Sequence, residues 1–216
     1  MDTLLQLILK IFKSIFKQNK NINITPNSQS DIKVISEKLS PVKNNVVIKD
    51  GYPILKDKQR YPATDPDTKK IRNILKEQKK GLEFFDSDDE ITDLQCTEYV
   101  SFRLLREEIT IDWSKRNGRR RDGKNWPEIL KDTYEVNEIA AKGAAISSPA
   151  TEKNIFGHIA YVEEASAEGF IIISDANSDD KGIYRASERK NPDTKGIYKN
   201  IEGQNVKFIH FEKKFN

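Results

Sequence analysis

Two short runs of strand-forming residues most constrain how this chain can fold. They are 157-GHIAYVEEA-165 and 169-GFIIISDAN-177, separated by a Ser-Ala-Glu connection. Alternating or β-branched residues on both sides of so short a connection predict an antiparallel hairpin. With a tight loop centred in the connection, Asp175 is expected directly opposite His158, and Asn177 on the same face.

The rest of the fold must be held by a packed core, because a single cysteine excludes a disulfide within the chain. A length of 216 residues fits one domain with an N-terminal extension. A net charge of +3, with 33% of the residues charged, predicts a well-solvated surface of mixed sign. This composition does not by itself point to a polyanionic partner.

The cysteine, Cys96, opens an amphipathic stretch in which apolar residues follow at spacings of three, four and eight. We predict a helix from residue 94 to about residue 107, with Asp93 as its N-cap. Cys96 would then lie in the first turn, where the helix dipole favours a thiolate. His158, at the start of the hairpin, is the candidate general base for this nucleophile.

Structural roles are the alternative for both residues, since a lone cysteine is often a small buried apolar residue and a strand histidine is often only hydrogen-bonded. The two together favour the reactive interpretation. His210, within 206-VKFIHF-211, has no polar partner in a matching run and is predicted to be structural.

Five motifs follow in order along the chain, and two tryptophans accompany the second of them. They are 95-QCTEYVSFRL-104, 118-GRRRDGKNW-126, 143-GAAIS-147, 157-GHIAYVEE-164 and 171-IIISDAN-177. The ordered set resembles the CHAP domain, a papain-like group of cysteine, histidine-dependent amidohydrolases and peptidases that hydrolyse bacterial peptidoglycan. The resemblance covers residues 84–212.

The resemblance implies an α+β, papain-like CHAP fold, in which the nucleophile helix packs on an antiparallel β-sheet. The active groove is expected where the N-terminus of this helix meets the sheet face bearing His158. The strands are expected at about residues 143–147, 158–164, 169–175 and 205–212.

The resemblance also implies roles for individual residues. Cys96 matches the nucleophile of the family's Gln-Cys-Thr pattern, and His158 matches the histidine of its Gly-His pattern. Asp175 occupies the place of a glutamate and Asn177 that of an asparagine, and either could orient the imidazole. Gln95, or the backbone amide of Cys96, is expected to stabilise an oxyanion.

The implied reaction is cleavage of an amide bond by a thiol, with peptidoglycan as the substrate. The bond is either the one from N-acetylmuramate to L-alanine or one within the stem or cross-bridge peptide. Two alternatives stay open. A related cysteine amidase could act as an effector on a protein or isopeptide substrate, and a catalytically silent module could bind the wall.

An acidic run, 86-DSDDEITD-93, precedes the nucleophile. Some CHAP domains are similar in carrying a calcium loop here, and Asp86, Asp88 and Asp93 are the candidate ligands. Ile91 stands where an EF-hand spacing needs glycine, and a solvated acidic turn is the alternative. No cofactor is expected to be required.

The sequence divides into four regions: 1–17, 18–45, 46–83 and 84–216. The first is a cationic amphipathic helix whose apolar face, within Leu4–Phe16, is expected to contact a membrane surface or a protein. A polar flexible linker follows. Residues 46–83 are expected to pack on the catalytic domain that fills the remainder.

The basic cluster 115-KRNGRRRDGK-124 is interpreted as a solvated loop, or as a site for anionic wall polymers. Nucleic acid is not an expected partner, since no aromatic-rich recognition pattern accompanies the cluster. No signal peptide is recognised, because Lys10 interrupts the apolar core. An enzyme of this kind would act at the cell wall after phage release or export by a non-classical route.

Overall fold

The computed structural model of this protein describes residues 51–78 and 92–214. The predicted helix over Leu4–Phe16, the linker over 18–45 and the candidate calcium ligands Asp86 and Asp88 lie outside the described residues.

One antiparallel sheet of six strands organises the described chain. In chain order the strands are Tyr134–Asn137 (β1), Ala145–Ser148 (β2), His158–Ala165 (β3), Ile171–Ala176 (β4), Tyr184–Lys190 (β5) and Lys207–Lys214 (β6). Across the sheet the order is β1-β6-β2-β3-β4-β5. The four predicted strands correspond to β2, β3, β4 and β6, while β1 and β5 were not predicted.

The loop of the β3–β4 hairpin lies further along the chain than predicted. The Ser166 N–H donates to the Phe170 carbonyl oxygen at 2.9 Å, and Gly169 lies between them with a φ of +86°. A glycine in this left-handed conformation is typical of three-residue hairpin loops. A bulge between Val162 and Glu164 then shifts the register by one residue, so that Tyr161 pairs with Ser174. The predicted register, with Asp175 directly opposite His158, was therefore wrong.

Within the described residues three α-helices accompany the sheet: Pro66–Gln78 (α1), Cys96–Arg106 (α2) and Trp126–Leu130 (α3). Helix α2 packs on β3 and β4. Alternate residues of β3 face opposite sides of the sheet, and each side has its own apolar cluster. Ile159 and Tyr161 join the larger cluster with the helices, whereas Ala160 and Val162 join the smaller one.

A chain of buried polar contacts fixes α2 to the sheet. The Tyr99 hydroxyl lies 2.6 Å from Ser174 Oγ, which donates to Glu163 at 2.6 Å. The guanidinium of Arg103 donates two hydrogen bonds to the Glu163 carboxylate, at 3.0 and 2.8 Å, and lies over the Tyr161 ring. These contacts fix the rotation of α2, and with it the position of the residue that begins the helix.

Helix α1 begins at Pro66, a residue whose fixed φ suits the first helical position. The Asp65 carboxylate accepts hydrogen bonds from the N–H groups of Asp67 and Thr68 at 2.8 and 3.2 Å, so Asp65 caps the helix. Helix α1 packs on α2. The segment before it bonds to the sheet edge, where the Tyr61 N–H donates to the Gly182 carbonyl oxygen at 2.9 Å.

The predicted α+β fold, with the nucleophile helix packed on an antiparallel sheet, is confirmed. Across residues 51–78 and 92–214, no helix combines the length and the apolar character needed to cross a bilayer.

Candidate active site

Cys96 is the first residue of α2, and its side chain is partly buried. Gln95 precedes it in an extended conformation, with φ −88° and ψ 155°. The Gln95 backbone N–H donates to the Glu98 carboxylate at 2.8 Å, which caps the helix from within its first turn. The unpaired N–H groups and dipole at a helix start favour a negative charge, which suits a thiolate nucleophile.

The prediction that Asp93 caps this helix was wrong. Its carboxylate accepts hydrogen bonds from the Arg60 guanidinium at 2.8 and 3.3 Å. The next N–H, that of Leu94, donates to the Tyr61 carbonyl oxygen at 2.8 Å. These bonds hold residues 93 and 94 against the segment that precedes α1, and the helix begins at Cys96 instead. Cys96 lies in the first turn in either case.

His158 is the first residue of β3, and two glycines determine how closely the chain approaches it. Gly157 has a φ of +66°, in the left-handed region that disfavours other residues. A Cβ on Gly123 would lie 2.6 Å from the backbone carbonyl carbon of His158. The turn that begins at Gly123 therefore packs directly on the backbone of the histidine.

The two ring nitrogens of His158 have different surroundings. Nε2 lies 2.9 Å from Asp175 Oδ2, and because a carboxylate only accepts, Nε2 carries the hydrogen. Nδ1 is buried and makes no regular hydrogen bond to any described residue. Cys96 lines the same cleft as His158, so Nδ1 is the ring nitrogen that is available to the thiol.

His158 and Asp175 meet although the predicted register was wrong. The observed pairing of Tyr161 with Ser174 puts Asp175 two residues from the position opposite His158. A shift of two residues keeps a side chain on the same face of a sheet, whereas a shift of one would have reversed it. The contact is therefore a diagonal one between neighbouring strands.

Asp175 is a buried carboxylate with only one of its oxygens satisfied. The residue is 1% exposed, and Oδ1 has no hydrogen-bond partner among the described residues. The Nη1 atom of Arg185, which pairs with Asp175 across β4 and β5, lies 3.8 Å from Oδ1. The Arg185 guanidinium also donates to Ser178 and, at 3.0 Å, to Asp179.

The imidazole of His158 has a strongly raised pKa. Burial lowers the pKa, because it disfavours the charged ring. The charge of Cys96, the hydrogen bond to Asp175 and the charge of Asp175 raise the pKa by more. The resulting pKa is about 10, compared with an ordinary value of 6.5. The surroundings thus favour an imidazolium at neutral pH.

Asn177 contacts the helix start and not the histidine. Its side-chain amide donates to Gln95 Oε1 at 3.1 Å, and its oxygen accepts from the Gly182 N–H at 2.7 Å. One N–H of the Gln95 amide donates to the Asp93 carbonyl oxygen at 2.7 Å. Of the two residues predicted to orient the imidazole, Asp175 is the one in contact with it.

Asp93 is the one predicted calcium ligand within the described residues, and its carboxylate is paired with Arg60 at 2.8 Å. No cluster of three or more His, Cys, Asp or Glu side chains that could hold a metal occurs in the described part of the chain. With Asp86 and Asp88 outside that part, calcium binding stays a prediction.

Cys96 and His158 line a cleft of about 390 Å³. Gln95 and Asn177 also line it, as do the exposed ring of Phe156 and a group of arginines, Arg116, Arg119, Arg120 and Arg121. A second cleft, of about 420 Å³, shares His158 with the first and includes Asp175 and Tyr198. The histidine therefore lies where two clefts meet.

Two arginines that lie near the site were not predicted from the sequence. Arg72 of α1 pairs with the buried Glu98 at 2.6 Å, and Arg185 of β5 lies beside Asp175. Both are brought to the site by tertiary packing, and no local pattern indicates them. The arginines around Arg119 were noticed as a basic cluster, but nothing in the sequence placed them on the wall of the cleft.

Residues 86–177 match the family model of the CHAP domain. This part of the chain carries the sequence pattern of the CHAP domain. The match includes Cys96, His158 and Asp175, and the resemblance inferred from the ordered motifs is confirmed.

Two staphylococcal proteins share this region. The chain is 34% identical over 84 residues to the secretory antigen SsaA of Staphylococcus epidermidis, an alignment that covers 38% of this chain and 28% of the antigen. It is 34% identical over 86 residues to the probable autolysin SsaALP of Staphylococcus aureus, covering 38% of this chain and 29% of that protein. The chain thus spans less than a third of the length of either relative.

Solved structures also resemble this chain. A crystal structure of N-acetylmuramoyl-L-alanine amidase from Staphylococcus aureus aligns with a TM-score of 0.42 and 23% identity, covering 63% of this chain and 40% of the amidase. The structure of Ly7917 with the hydrolysing product of MDP aligns with a TM-score of 0.39 and 16% identity, covering 54% of this chain and 53% of Ly7917.

Proposed function

We propose that this chain is a thiol-dependent amidase or endopeptidase that cleaves amide bonds of bacterial peptidoglycan. One observation carries the proposal: a cysteine at a helix start shares a cleft with a histidine whose far nitrogen is bonded to a buried carboxylate. The CHAP domain supports the reaction class. The relative described as a probable autolysin supports the cell wall as the place of action.

In the proposed reaction, the Cys96 thiolate attacks the carbonyl carbon of the scissile amide, and the carbonyl π electrons move to the oxygen. As the tetrahedral intermediate collapses, the C–N bond breaks and the Nδ1–H of His158 gives its proton to the leaving amine. A thioester remains on Cys96. His158 then takes a proton from water, whose oxygen attacks the thioester, and the C–S bond breaks to release the carboxylic acid.

Asp175 serves this cycle by holding Nε2 of His158 at 2.9 Å, which directs Nδ1 toward the thiol. Its negative charge also stabilises the imidazolium. An aspartate is one methylene shorter than the glutamate usual at this place in the family, yet its Oδ2 lies within hydrogen-bond distance of the imidazole, at 2.9 Å from Nε2.

The developing oxyanion needs donors near Cys96. The Cys96 backbone N–H at the start of α2 is one candidate, and the Gln95 side chain is the other. One Gln95 N–H is bonded to the Asp93 carbonyl oxygen at 2.7 Å, which leaves its second N–H for the oxyanion.

The scissile bond is either the link from N-acetylmuramate to L-alanine or a bond within the stem or cross-bridge peptide. Calcium binding by Asp86, Asp88 and Asp93 and surface contact through Leu4–Phe16 are further proposals. The peptidoglycan assay tests the first of these directly, because calcium and a chelator can be added in parallel.

The test is turbidity clearance together with released-amine analysis on purified peptidoglycan of several wall chemotypes. Native chain is expected to release new amino termini, and Cys96→Ala and His158→Gln to release none. His210→Gln is the matched histidine control, because His210 bonds Asn137 at 2.9 Å outside both clefts. Undiminished cleavage by Cys96→Ala would refute the proposal, and cleavage of protein amides alone would favour an effector.

A further inference from the structure

The cleft that holds Cys96 has a cationic wall. Arg116 ends the short 3-10 helix Ser114–Arg116, and Arg119, Arg120 and Arg121 follow it. All four side chains line the cleft. Two acidic residues that line the cleft, Asp122 and Asp180, offset part of this charge. A third, Glu98, is already neutralised by Arg72.

Three of the four arginines have partners within the protein. Arg119 pairs with Glu128 at 3.2 Å, and Arg120 pairs with Asp122 at 3.4 Å. The Arg121 guanidinium lies over the Trp113 ring, 5.7 Å from its centroid, and its backbone carbonyl oxygen accepts from Trp126 Nε1 at 2.8 Å. These contacts hold the segment in place.

Arg116 differs from its neighbours. It is partly buried on the cleft wall, yet within residues 51–78 and 92–214 its guanidinium makes no ion pair or hydrogen bond. A cleft of about 390 Å³ is the size of a small-molecule site, so a group held at Arg116 and a carbonyl held at Cys96 can belong to one substrate. A guanidinium with five free donors is suited to carboxylate or phosphate.

We propose that Arg116 binds an anionic group of the substrate in the cleft that contains the nucleophile. This inference rests on the proposed function and names the substrate class: wall fragments that carry a free carboxylate or phosphate near the scissile amide. A free carboxylate would come from the stem peptide and a phosphate from a substituted glycan. The exposed ring of Phe156, 52% exposed in the same cleft, offers an apolar surface beside this anion site.

The test uses soluble wall fragments in matched pairs. One pair carries a stem-peptide carboxylate or the corresponding carboxamide, and the other carries a glycan with or without phosphate. Native chain is expected to cleave the anionic member of one pair about tenfold to a hundredfold better in kcat/KM. Arg116→Gln is expected to lose the preference, Arg116→Lys to recover part of it, and Lys115→Gln, the exposed neighbour outside the cleft, to keep it.

Binding of the same fragments to Cys96→Ala, measured by titration calorimetry, separates this inference from the proposed function. A preference for the anionic fragment that disappears in the double variant Cys96→Ala/Arg116→Gln supports the anion site even if native chain cleaves nothing. The pair that shows the preference identifies the source of the anion. The proposed anion site would be overturned by equal binding of both members of each pair, or by a preference for the anionic fragment that remains in Arg116→Gln.

A separate observation concerns the unsatisfied oxygen of Asp175. Oδ1 is buried without a hydrogen-bond partner among the described residues, and Arg185 Nη1 lies 3.8 Å away. We infer that Arg185 is a positioning residue whose charge holds the Asp175 carboxylate in place beside His158. Ser178 and Asp179 hold the guanidinium in that place.

Arg185→Met is expected to lower kcat with little change in KM, because the buried carboxylate loses the charge that holds it against His158. Arg185→Lys should recover much of kcat, since it restores the charge. A purely structural role predicts lower stability with an unchanged kcat in folded Arg185→Met, and that result would overturn the inference.

Discussion

Two buried carboxylates near the cleft have opposite surroundings. Glu98 is 2% exposed, and both of its oxygens accept hydrogen bonds from Arg72, at 2.6 and 3.0 Å. One of them also accepts from the Gln95 N–H at 2.8 Å. Asp175 is 1% exposed, but within the described residues only Oδ2 has a hydrogen-bond partner, His158.

The difference separates a structural charge from a functional one. When both oxygens of a buried carboxylate are bonded to its own counterion, the negative charge is balanced by a structural ion pair. When a buried carboxylate bonds only an imidazole, its negative charge acts on that ring. The oxygen that has no hydrogen-bond partner lowers the stability of the fold. Glu98 therefore joins α1 to α2, whereas Asp175 acts on His158.

The largest expected effect is the loss of activity in Asp175→Asn. An amide carries no charge to stabilise the imidazolium, so kcat/KM is expected to fall by about 10²- to 10⁴-fold. The urea midpoint at neutral pH is expected to fall as well, because the variant loses the stabilisation that Asp175 gives to the His158 imidazolium. Released-amine kinetics and urea denaturation measure the two quantities. A loss of activity below about threefold would contradict the comparison.

Arg72→Met tests the other carboxylate. It leaves Glu98 buried without its counterion, and the free energy of unfolding is expected to fall by about 3–5 kcal/mol. Urea denaturation measures the change. Arg60→Gln is the matched control, because the Arg60 side chain is 66% exposed, and its midpoint should match that of native chain. Equal midpoints for the two variants would show that Glu98 is not held by Arg72.

The pH dependence of activity distinguishes the carboxylates further. Because the pKa of His158 is raised to about 10, its contribution to stability is complete below about pH 6.5 and is lost as the pH rises toward 10. The alkaline limb of kcat/KM is expected near that upper value, since the leaving amine needs the imidazolium proton. Asp175→Asn should move the limb down by about one pH unit or more.

If the alkaline limb of the kcat/KM profile has the same pH in Asp175→Asn as in the native protein, the carboxylate does not act on the histidine. Arg72→Met, measured in the pH range where it is folded, should leave the limb unchanged.

The smallest expected effect is that of Asn177→Ala, which removes contacts with Gln95 and Gly182 and not with the imidazole. Loss of ordinary hydrogen bonds, each contributing about 0.5–1.5 kcal/mol, predicts a twofold to tenfold lower kcat/KM. Steady-state kinetics measure it beside Asn205→Ala, an exposed control that should be unchanged. A loss as large as that of Asp175→Asn would make Asn177 the residue that orients His158.

Local sequence patterns predicted the elements that carry the site. Alternation identified β3 and β4, and helical spacing identified α2, because both signals depend only on near neighbours along the chain. His158 and Asp175 lie on the same face of the sheet, as predicted, although the predicted register was wrong. The β3–β4 register differs from the prediction by two residues, and a shift of two keeps each side chain on its face. Gly169 was the available signal for the true position of the loop.

Contacts between distant segments could not be predicted in this way. Arg72 precedes Glu98 by 26 residues, and Arg185 reaches Asp175 from a strand whose sequence, YRASERK, alternates weakly. No matching run in the sequence offers His210 a polar partner, but Asn137 on the unpredicted strand β1 bonds it at 2.9 Å. Such pairings follow from the sheet order and not from the sequence near either residue.

The most direct test of the thiol–imidazole pair is the rate of Cys96 alkylation by iodoacetamide at neutral pH. Cys96 is the chain's only cysteine, so the labelling reports one site. Native chain is expected to react at least about tenfold faster than His158→Gln, because the imidazolium favours the thiolate. His210→Gln should react like native chain. Equal rates for native chain and His158→Gln would contradict the account.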